Sequence, residues 1–144
     1  MTDTDLVDAL AQLSFLVQNA LAEIGAQHDL SLVQVRLLGV LRDHEPTMQE
    51  LGRHLGLDKS SISGLVDRAQ RRGLVTRTAS PVDRRVTHVS ITETGQRLAT
   101  EGAAVFAEHI SSLVAGLSAA DRRTLTRLAH QVISNGSRVS EEHD

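Results

Sequence analysis

The stretch that decides the fold runs from Thr47 to Thr92 and reads TMQELGRHLGLDKSSISGLVDRAQRRGLVTRTASPVDRRVTHVSIT. Its first four residues form a capping box, in which a threonine and a glutamate three residues later bond each other's backbone N–H groups, so a helix starts at Met48. Gly56 permits the left-handed turn that ends a helix, and Asp58 is a good N-cap for the next one. Two helices joined by such a turn are typical of a helix-turn-helix.

A β-hairpin follows the second helix. Gly73 ends that helix, residues 74–78 and 86–91 have the composition of strands, and the second of these segments alternates as a strand does. The loop between them, residues 79–85, contains one proline and two arginines. We call the hairpin, residues 74–91, the wing, and residues 47–92 together the winged head. The hairpin predicts a winged helix-turn-helix, while the alternative is an ordinary hairpin whose arginines are merely solvated.

The flanking segments are helical. A serine at position 31 and a glutamine at position 34 form a capping box that opens one helix, which Glu45-Pro46 stops. A longer helix spans residues 5–26, with Gly25 and the following His28-Asp29 at its end. Its apolar residues repeat at alternating steps of four and three, which indicates a seam for a partner helix. The seam consists of Leu6, Leu10, Leu13, Val17, Ala20 and Ile24.

Beyond the wing, Thr92 caps a helix that we expect to reach about Gly116. Ser118 opens a last helix with an apolar stripe from Leu125 to Ile133, ended by Asn135-Gly136 and followed by a frayed polar tail, residues 137–144. The predicted fold class is mainly α with a small β-hairpin wing, a winged helix-turn-helix head on a helical dimerisation frame. We expect a single domain, with dimerisation helices at about 5–44 and 118–138, the winged head at about 47–92 and a connecting helix at about 93–116.

The charge is unevenly distributed. The formal net charge is -3, yet the segment from Arg53 to Arg97 holds nine of the 15 Lys and Arg residues and only four of the 18 Asp and Glu residues. Such asymmetry fits a local phosphate-facing surface between acidic helices. A basic face that is only solvated is the alternative on charge alone.

Several function classes are disfavoured. The chain has no cysteine, which removes disulfides, thiolate metal sites and cysteine redox sensors. The seven histidines include no pair at helical spacing, so no metal is predicted, although a site assembled in space stays open. We find no nucleophile elbow, no glycine-rich phosphate loop and no paired carboxylates, so we expect neither an enzyme nor a cofactor. No apolar run approaches the roughly 20 residues of a membrane span, and the N-terminus is acidic where a secretory signal is basic, so we expect a cytoplasmic protein.

The second helix of the winged head is the predicted recognition helix. A helical wheel places Ile62, Leu65, Val66 and Ala69 inward and the polar residues outward. Small hydroxyl side chains permit close approach to base edges, and arginines can reach guanine or phosphate. Asp67 either accepts from a cytosine amine or, as we prefer, pairs with Arg71 at i, i+4. The candidate DNA contacts here are Lys59, Ser60, Ser61, Ser63, Gly64, Arg68 and Arg71.

The tip of the wing adds a second reader. Asp83 and Arg85 are two residues apart, so the carboxylate can hold the guanidinium by a charge-assisted bond while the arginine enters a minor groove. We expect Arg84 and Arg77 to contact phosphates. Thr47 and Gln49, at the N-terminus of the supporting helix, are also placed for a phosphate.

With these residues laid out, the chain resembles the MarR (multiple antibiotic resistance regulator) family of bacterial transcriptional regulators. The resemblance lies in LGRHLGLDKSSISGLVDRAQRRGLVTR and SPVDRRVTHVSITETG, and it extends in helix order over roughly residues 6–136. It implies a homodimer that binds a pseudo-palindromic operator in double-stranded DNA, with Ser60, Ser61 and Gly64 facing bases. Some relatives carry a long polar side chain where this chain has Gly64, so base readout at this point is either weak or carried by Arg68.

The resemblance also implies a repressor that loses DNA affinity on binding a small aromatic or phenolic effector. Phe15, His28 and Arg36 are the candidate effector-binding residues. Within this class, a ligand-independent or activating regulator is the main alternative. From other classes, the alternatives are a winged-helix module that binds a partner protein and a small-molecule-binding protein without DNA affinity.

Overall fold

The structure is a computed structural model that describes residues 2–142, apart from the side chain of Ser140. His143 therefore lies outside the described residues. The chain forms two compact units, residues 1–108 and 109–144, with the boundary inside a long helix. The elements in chain order are α1 (Asp3–Ala26), α2 (Leu32–Leu41), α3 (Met48–Leu55), α4 (Lys59–Arg71), β1 (Val75–Ala79), β2 (Thr87–Ile91), α5 (Glu93–Leu113) and α6 (Ala119–Glu142). The predicted fold class, mainly helical with one hairpin, is confirmed.

The start of the winged head forms as its local sequence predicts. The Glu50 backbone N–H donates to Thr47 Oγ1 at 3.1 Å, and the Thr47 N–H donates to a Glu50 carboxylate oxygen at 3.4 Å. Gly56 adopts a left-handed conformation with φ of 67°, and the Ser61 N–H donates to Asp58 Oδ1 at 2.8 Å. These bonds satisfy N–H groups that helix termini otherwise leave without partners, so α3 and α4 meet at a sharp, fixed turn.

One aliphatic core holds the winged head to α2. The inward side of α4 is buried as predicted, and it meets buried leucines from the two preceding helices and the inner faces of both strands. Burial of each such side chain stabilises the fold by about 1.5–3 kcal/mol. The most completely buried members are Leu37, Leu41, Leu51, Leu65, Val66, Val75 and Val89.

A third segment of the chain joins the hairpin along β2. β1 and β2 pair antiparallel, with Val75 opposite Ile91. The segment before α3 also joins, because Thr47 forms a bridge with His88 and the Val89 N–H donates to the Pro46 carbonyl at 2.9 Å. The wing is therefore fastened to the N-terminus of α3 as well as to the core.

A glycine in the first turn of α5 allows this helix to pack closely against Leu74, at the base of the wing. A Cβ on Gly95 would lie 2.2 Å from the Leu74 carbonyl oxygen. Thr92, the residue that was predicted to cap α5, accepts from the Gly95 N–H at 3.1 Å and donates its hydroxyl to the Gly73 carbonyl at 2.6 Å. The threonine and the glycine together lock the start of α5 onto the junction between α4 and β1.

The seam of α1 divides into two parts. Ala20 and Ile24 are buried within their own unit, where Ile24 packs near Gly102 of α5. Leu6, Leu10 and Leu13, in the first half of the seam, remain exposed by 51%, 47% and 45%. Two of the six seam residues thus belong to the core of the chain, and the first three are left for another partner.

α1 ends at Ala26, as predicted, and Gly25 is buried in its last turn, where a Cβ would lie 2.5 Å from the Leu30 carbonyl oxygen. Three other predicted helix ends need correction. α2 ends at Leu41, before Glu45-Pro46 and short of residue 44, and α5 ends at Leu113, short of Gly116. The prediction that Asn135-Gly136 ends α6 is wrong, because α6 continues to Glu142.

The physical reason for the long α6 lies in its backbone. A glycine in a helix interior costs only about 1 kcal/mol relative to alanine, so it ends a helix only where the following turn is stabilised. Here the Ser137 hydroxyl donates to the Ile133 carbonyl one turn earlier, which is a helical arrangement. Across residues 2–142, no helix is long and apolar enough to cross a membrane.

Candidate nucleic-acid interface

The outward side of α4 carries the short side chains that the helical wheel placed there. Ser60 and Ser61 are exposed, whereas Ser63 and Gly64 are half-buried. The Ser60 hydroxyl donates to Asp58 Oδ1 at 3.2 Å. Bonds from the Ser61 backbone N–H and side chain, followed by the Ser60 hydroxyl, hold the pKa of Asp58 below its usual range. These bonds make Asp58 the cap that fixes the N-terminus of α4.

Arg68 covers the position of the missing side chain at Gly64. A terminal nitrogen of its guanidinium lies 3.2 Å from where a Cβ on Gly64 would stand, one turn earlier on α4. Both Arg68 and the neighbouring Arg71 are exposed. The charged side chain nearest Gly64 is thus Arg68, and its contact with a base stays a prediction.

Asp67 pairs with the wing, and the predicted pair with Arg71 is wrong. The Arg77 guanidinium donates to Asp67 Oδ1 in a short bond, to Gln70 Oε1 at 3.2 Å and to the Ser63 carbonyl at 3.3 Å. Arg77 lies on β1, so its side chain reaches back across the recognition helix. The bonds arise from tertiary packing, because ten residues separate Asp67 from Arg77.

This arrangement gives Arg77 a structural position that the sequence did not indicate. Its side chain is 28% exposed, and three groups of α4 surround its guanidinium. Arg77 therefore fixes the angle between the recognition helix and the wing. The phosphate contact proposed for Arg77 stays a prediction.

The wing tip holds Arg85 as its sequence predicts. The Arg85 guanidinium donates to both Asp83 carboxylate oxygens, at 3.2 Å from Nε and 3.3 Å from a terminal nitrogen, and the Arg85 backbone N–H donates to Oδ1 at 3.1 Å. These bonds, the side-chain ones first, hold the pKa of Asp83 below its usual range. The Arg85 side chain is nevertheless 91% exposed.

Hydrogen bonds within the loop stabilise the turn that carries Asp83 and Arg85. The Ser80 hydroxyl oxygen accepts from the Val82 and Asp83 N–H groups at 3.2 Å and 3.4 Å, and the Val86 N–H donates to the Asp83 carbonyl at 3.0 Å. A forked, charged donor is thus presented from a stiffened turn, a form suited to a groove of strongly negative potential.

The remaining predicted contacts lie around these two readers. Gln49, Lys59 and Arg84 are exposed, and Thr47 is half-buried with its oxygen engaged in the cap of α3. The exposure of Gln49, Lys59 and Arg84 leaves their polar ends accessible to phosphates. Their contacts with DNA stay predictions.

Sequence reasoning missed one link between distant parts of the first unit. Arg72, at the C-cap of α4, donates to the Asp29 carbonyl at 2.7 Å and to the His28 carbonyl at 2.9 Å. The sequence carries no signal for this link, since backbone carbonyls accept whatever side chain the fold brings to them.

The three candidate effector-binding residues lie on different parts of the first unit. Phe15 is 62% exposed on α1, His28 is half-buried in the turn after it, and Arg36 is exposed on α2. None of them lines either of two described surface hollows, one along α6 between Arg122 and Arg138 and one beside Asp67, Gln70 and Arg71. Among residues 2–142 there is also no cluster of three or more His, Asp or Glu side chains placed to hold a metal ion.

Comparison with known proteins agrees with this architecture. The family model described as MarR family matches residues 28–86. The HTH-type transcriptional repressor NicR of Pseudomonas putida is 35% identical over 108 residues, which cover 74% of this chain and 68% of NicR. The homoprotocatechuate degradative operon repressor of Escherichia coli is 27% identical over 139 residues, covering 95% of this chain and 93% of that protein.

A solved structure extends the likeness to three dimensions. The crystal structure of CouR from Rhodococcus jostii RHA1, bound to p-coumaroyl-CoA, superposes with a TM-score of 0.77 at 25% identity and covers 89% of this chain and 91% of CouR. With the matched family model, the similarity to NicR and the winged helix-turn-helix described above, this chain belongs to the MarR family of DNA-binding transcriptional regulators.

Proposed function

We propose that this protein is a homodimeric repressor that binds a pseudo-palindromic DNA operator and releases it on binding a small aromatic or phenolic effector. Ser60, Ser61, Gly64 and Arg68 face base edges in a major groove, and Arg85 enters the adjacent minor groove. Lys59 and Arg84 meet phosphates beside them. A repressor acts where the chromosome lies, so we place the protein in the cytoplasm, and we assign it no catalytic step.

The observation that carries the proposal is the state of Arg85. A guanidinium that is 91% exposed, yet bonded to both oxygens of Asp83, has already lost much of the freedom that binding would otherwise cost. Exposed ion pairs contribute little to stability. We therefore infer that Asp83 orients Arg85 for binding, and that the pair does little to stabilise the fold.

The exposed half of the α1 seam supports a dimer. Leu6, Leu10 and Leu13 lie on one side of α1 and are about half exposed. A row of this kind on a long helix is the usual seam of helix pairing. Two copies also provide two winged heads, which a pseudo-palindrome with two half-sites requires.

The effector class rests on the relatives. CouR was crystallised with p-coumaroyl-CoA, and the E. coli relative is named for the homoprotocatechuate degradative operon. We extend that chemistry to this chain as a small aromatic or phenolic acid or its thioester. Phe15, His28 and Arg36 stay its candidate contacts, and calorimetric titration with a panel of such acids, with and without operator, tests this part.

The central experiment measures binding to a duplex recovered by selection from genomic fragments, by fluorescence anisotropy between 50 and 200 mM salt. Phosphate contacts release counterions, so the logarithm of the affinity should fall linearly and steeply with the logarithm of salt concentration. Binding that is insensitive to salt would favour a protein-interaction module, and the absence of duplex binding together with effector binding would favour a small-molecule-binding protein. Light scattering of the free protein should give the mass of two chains, and a folded monomer at micromolar concentration would contradict the dimer.

The sign of regulation needs its own assay. In a reconstituted transcription reaction carrying the selected site at its promoter, the protein should lower transcript yield, and the effector should restore it. A rise in transcript on adding protein would identify an activator, and an effect that no aromatic acid reverses would indicate a ligand-independent regulator.

A further inference from the structure

The turn between α1 and α2 presents two consecutive backbone carbonyls to one side chain. The Arg72 guanidinium donates one terminal nitrogen to the Asp29 carbonyl at 2.7 Å and the other to the His28 carbonyl at 2.9 Å. A planar guanidinium matches two acceptors held side by side, which a lysine ammonium cannot do. The contact joins residues 43 and 44 positions apart in the chain.

The turn that Arg72 grips is itself well defined. The Leu30 N–H donates to the Gly25 carbonyl at 2.8 Å, and there is no room for a side chain at Gly25, where a Cβ would also lie 2.8 Å from a Val35 methyl group. Asp29 holds a left-handed conformation with φ of 54°, which is uncommon for a residue other than glycine. The two carbonyls therefore belong to one particular turn conformation, and a change of that conformation would separate them.

The other end of the contact is the recognition helix. Arg72 is the C-cap of α4, and its own N–H donates to the Arg68 carbonyl at 3.2 Å. A displacement of Arg72 therefore moves the last turn of α4, the helix that carries Arg68. The inward side of α4 is buried in the core, and the bonds of Arg72 add a fixed point at the C-terminal end of the helix.

From this geometry we propose that Arg72 is a positioning residue for DNA binding, which sets the tilt of the recognition helix by gripping the turn between α1 and α2. It acts without touching DNA. The grip also makes that turn a control point, since whatever rearranges the carbonyls of His28 and Asp29 frees the C-terminal end of α4. The proposal rests on the proposed function for its readout, and it supplies a route from the α1–α2 region to the DNA-reading surface.

The test must separate positioning from a phosphate contact, because Arg72 is exposed and positively charged. A lost phosphate contact lowers the salt slope of binding by about one, whereas lost positioning lowers affinity and leaves the slope unchanged. We would measure the wild type, Arg72→Ala and Arg72→Lys on the selected duplex between 50 and 200 mM salt. Arg84→Ala, at an exposed wing arginine assigned to phosphate, provides the matched comparison for the slope.

We expect both Arg72 variants to bind about 3- to 30-fold more weakly with the wild-type salt slope. Arg72→Lys retains the charge and loses the fork, so its weakness would identify the two-carbonyl geometry as the cause. Wild-type affinity in either variant would overturn the proposal, and so would a slope reduced as in Arg84→Ala. Circular dichroism checks folding, and Arg72→Lys carries the test if Arg72→Ala does not fold.

A measurement without DNA keeps this inference separate from the proposed function. Hydrogen exchange, followed in peptides covering residues 26–31 and 66–74, should be faster in both variants, with the core of α3 unchanged. Equal exchange rates in variant and wild type would refute the grip even if the protein binds its operator. Conversely, a wild-type protein without duplex affinity would refute the function while leaving the grip measurable.

Discussion

The wing tip and the start of the recognition helix are the two surfaces that should meet DNA, and they are built in opposite ways. At the tip, the Arg85 side chain is 91% exposed and held by a carboxylate on the same loop. At the start of α4, the side chains assigned to base edges are short, and the Ser60 hydroxyl also serves the helix itself by bonding Asp58. The wing tip places a charge far from the backbone, whereas the start of α4 allows the helix backbone to approach DNA closely.

The difference indicates a division of work. Short side chains and a glycine permit a close approach to base edges, which favours discrimination by fit, whereas a forward guanidinium adds affinity and reads groove potential. The two surfaces must keep a fixed angle for both to engage, and the structure supplies two devices for that. Arg77 clamps the wing to α4, and Gly95 seats the junction at Leu74 from which the wing departs.

The largest effect should come from breaking that junction. Gly95→Ala puts a Cβ 2.2 Å from the Leu74 carbonyl oxygen, a backbone atom that cannot swing aside. We expect the free energy of unfolding to fall by about 3 kcal/mol, as overpacking in well-packed regions does. Urea denaturation measures it, and Gly116→Ala, where nothing lies within 4 Å of the added Cβ, is the control. Equal stability of the two variants would show that the Leu74 backbone moves away from the new Cβ at little cost in free energy.

Removing the exposed guanidinium should give the next largest effect. Arg85→Ala is expected to weaken operator binding by about 1–3 kcal/mol, because a groove contact would be lost while the fold is untouched. Fluorescence anisotropy at low salt provides the affinity. Unchanged binding would mean that the wing tip does not contact DNA specifically. The recognition helix α4 would then be the one remaining predicted surface for reading bases.

Loosening the clamp should act on both surfaces at once. We expect Arg77→Ala to weaken operator binding by about 1 kcal/mol through a changed angle between wing and helix, with the salt slope retained. A double-mutant cycle with Asp67→Ala should show coupling, because the two side chains are bonded. Additive effects with a reduced salt slope would instead support the phosphate contact that the sequence suggested for Arg77.

Adding a methyl group at Gly64 should have a small effect on stability, opposite in sign to that of Gly95→Ala. A Cβ on Gly64 meets the end of the flexible Arg68 side chain at 3.2 Å, and alanine is a far better helix former than glycine. We therefore expect Gly64→Ala to raise the free energy of unfolding by about 0.5–1 kcal/mol in urea denaturation. A loss of stability would indicate that the position of Arg68 is more constrained than its exposure suggests.

The smallest effect should be that of pH on the wing. The pKa of Asp83 is lowered, chiefly by the bonds from Arg85, so the pair is complete above the ordinary aspartate pKa and is lost only as pH falls through the lowered value. Operator affinity should therefore show no contribution from Asp83 between pH 6 and 8. Asp83→Asn should bind more weakly than the wild type by a constant factor over that range, and by less than Arg85→Ala does. A pH-dependent ratio between variant and wild type would contradict the assignment.

Most of the winged head could be predicted because its decisive contacts are local. Thr47 with Glu50, Asp58 with Ser61 and Asp83 with Arg85 all lie within three residues of each other, so sequence spacing alone brings their atoms together. The same locality explains the wrong end of α6. Asn135-Gly136 has the form of a helix stop, but a stop needs a stabilised turn after it, and spacing does not reveal whether one forms.

The sequence by itself determined the order of elements, the caps, the inward faces and the charged tip of the wing. Only the tertiary structure decided which partner Asp67 takes, why position 95 must be glycine, how much of the α1 seam stays exposed and what Arg72 grips. The physical reason is the range of the contacts. Helix periodicity and capping act over three or four residues, whereas the bonds of Arg72 join groups more than forty residues apart, and only packing of the core brings those groups within reach.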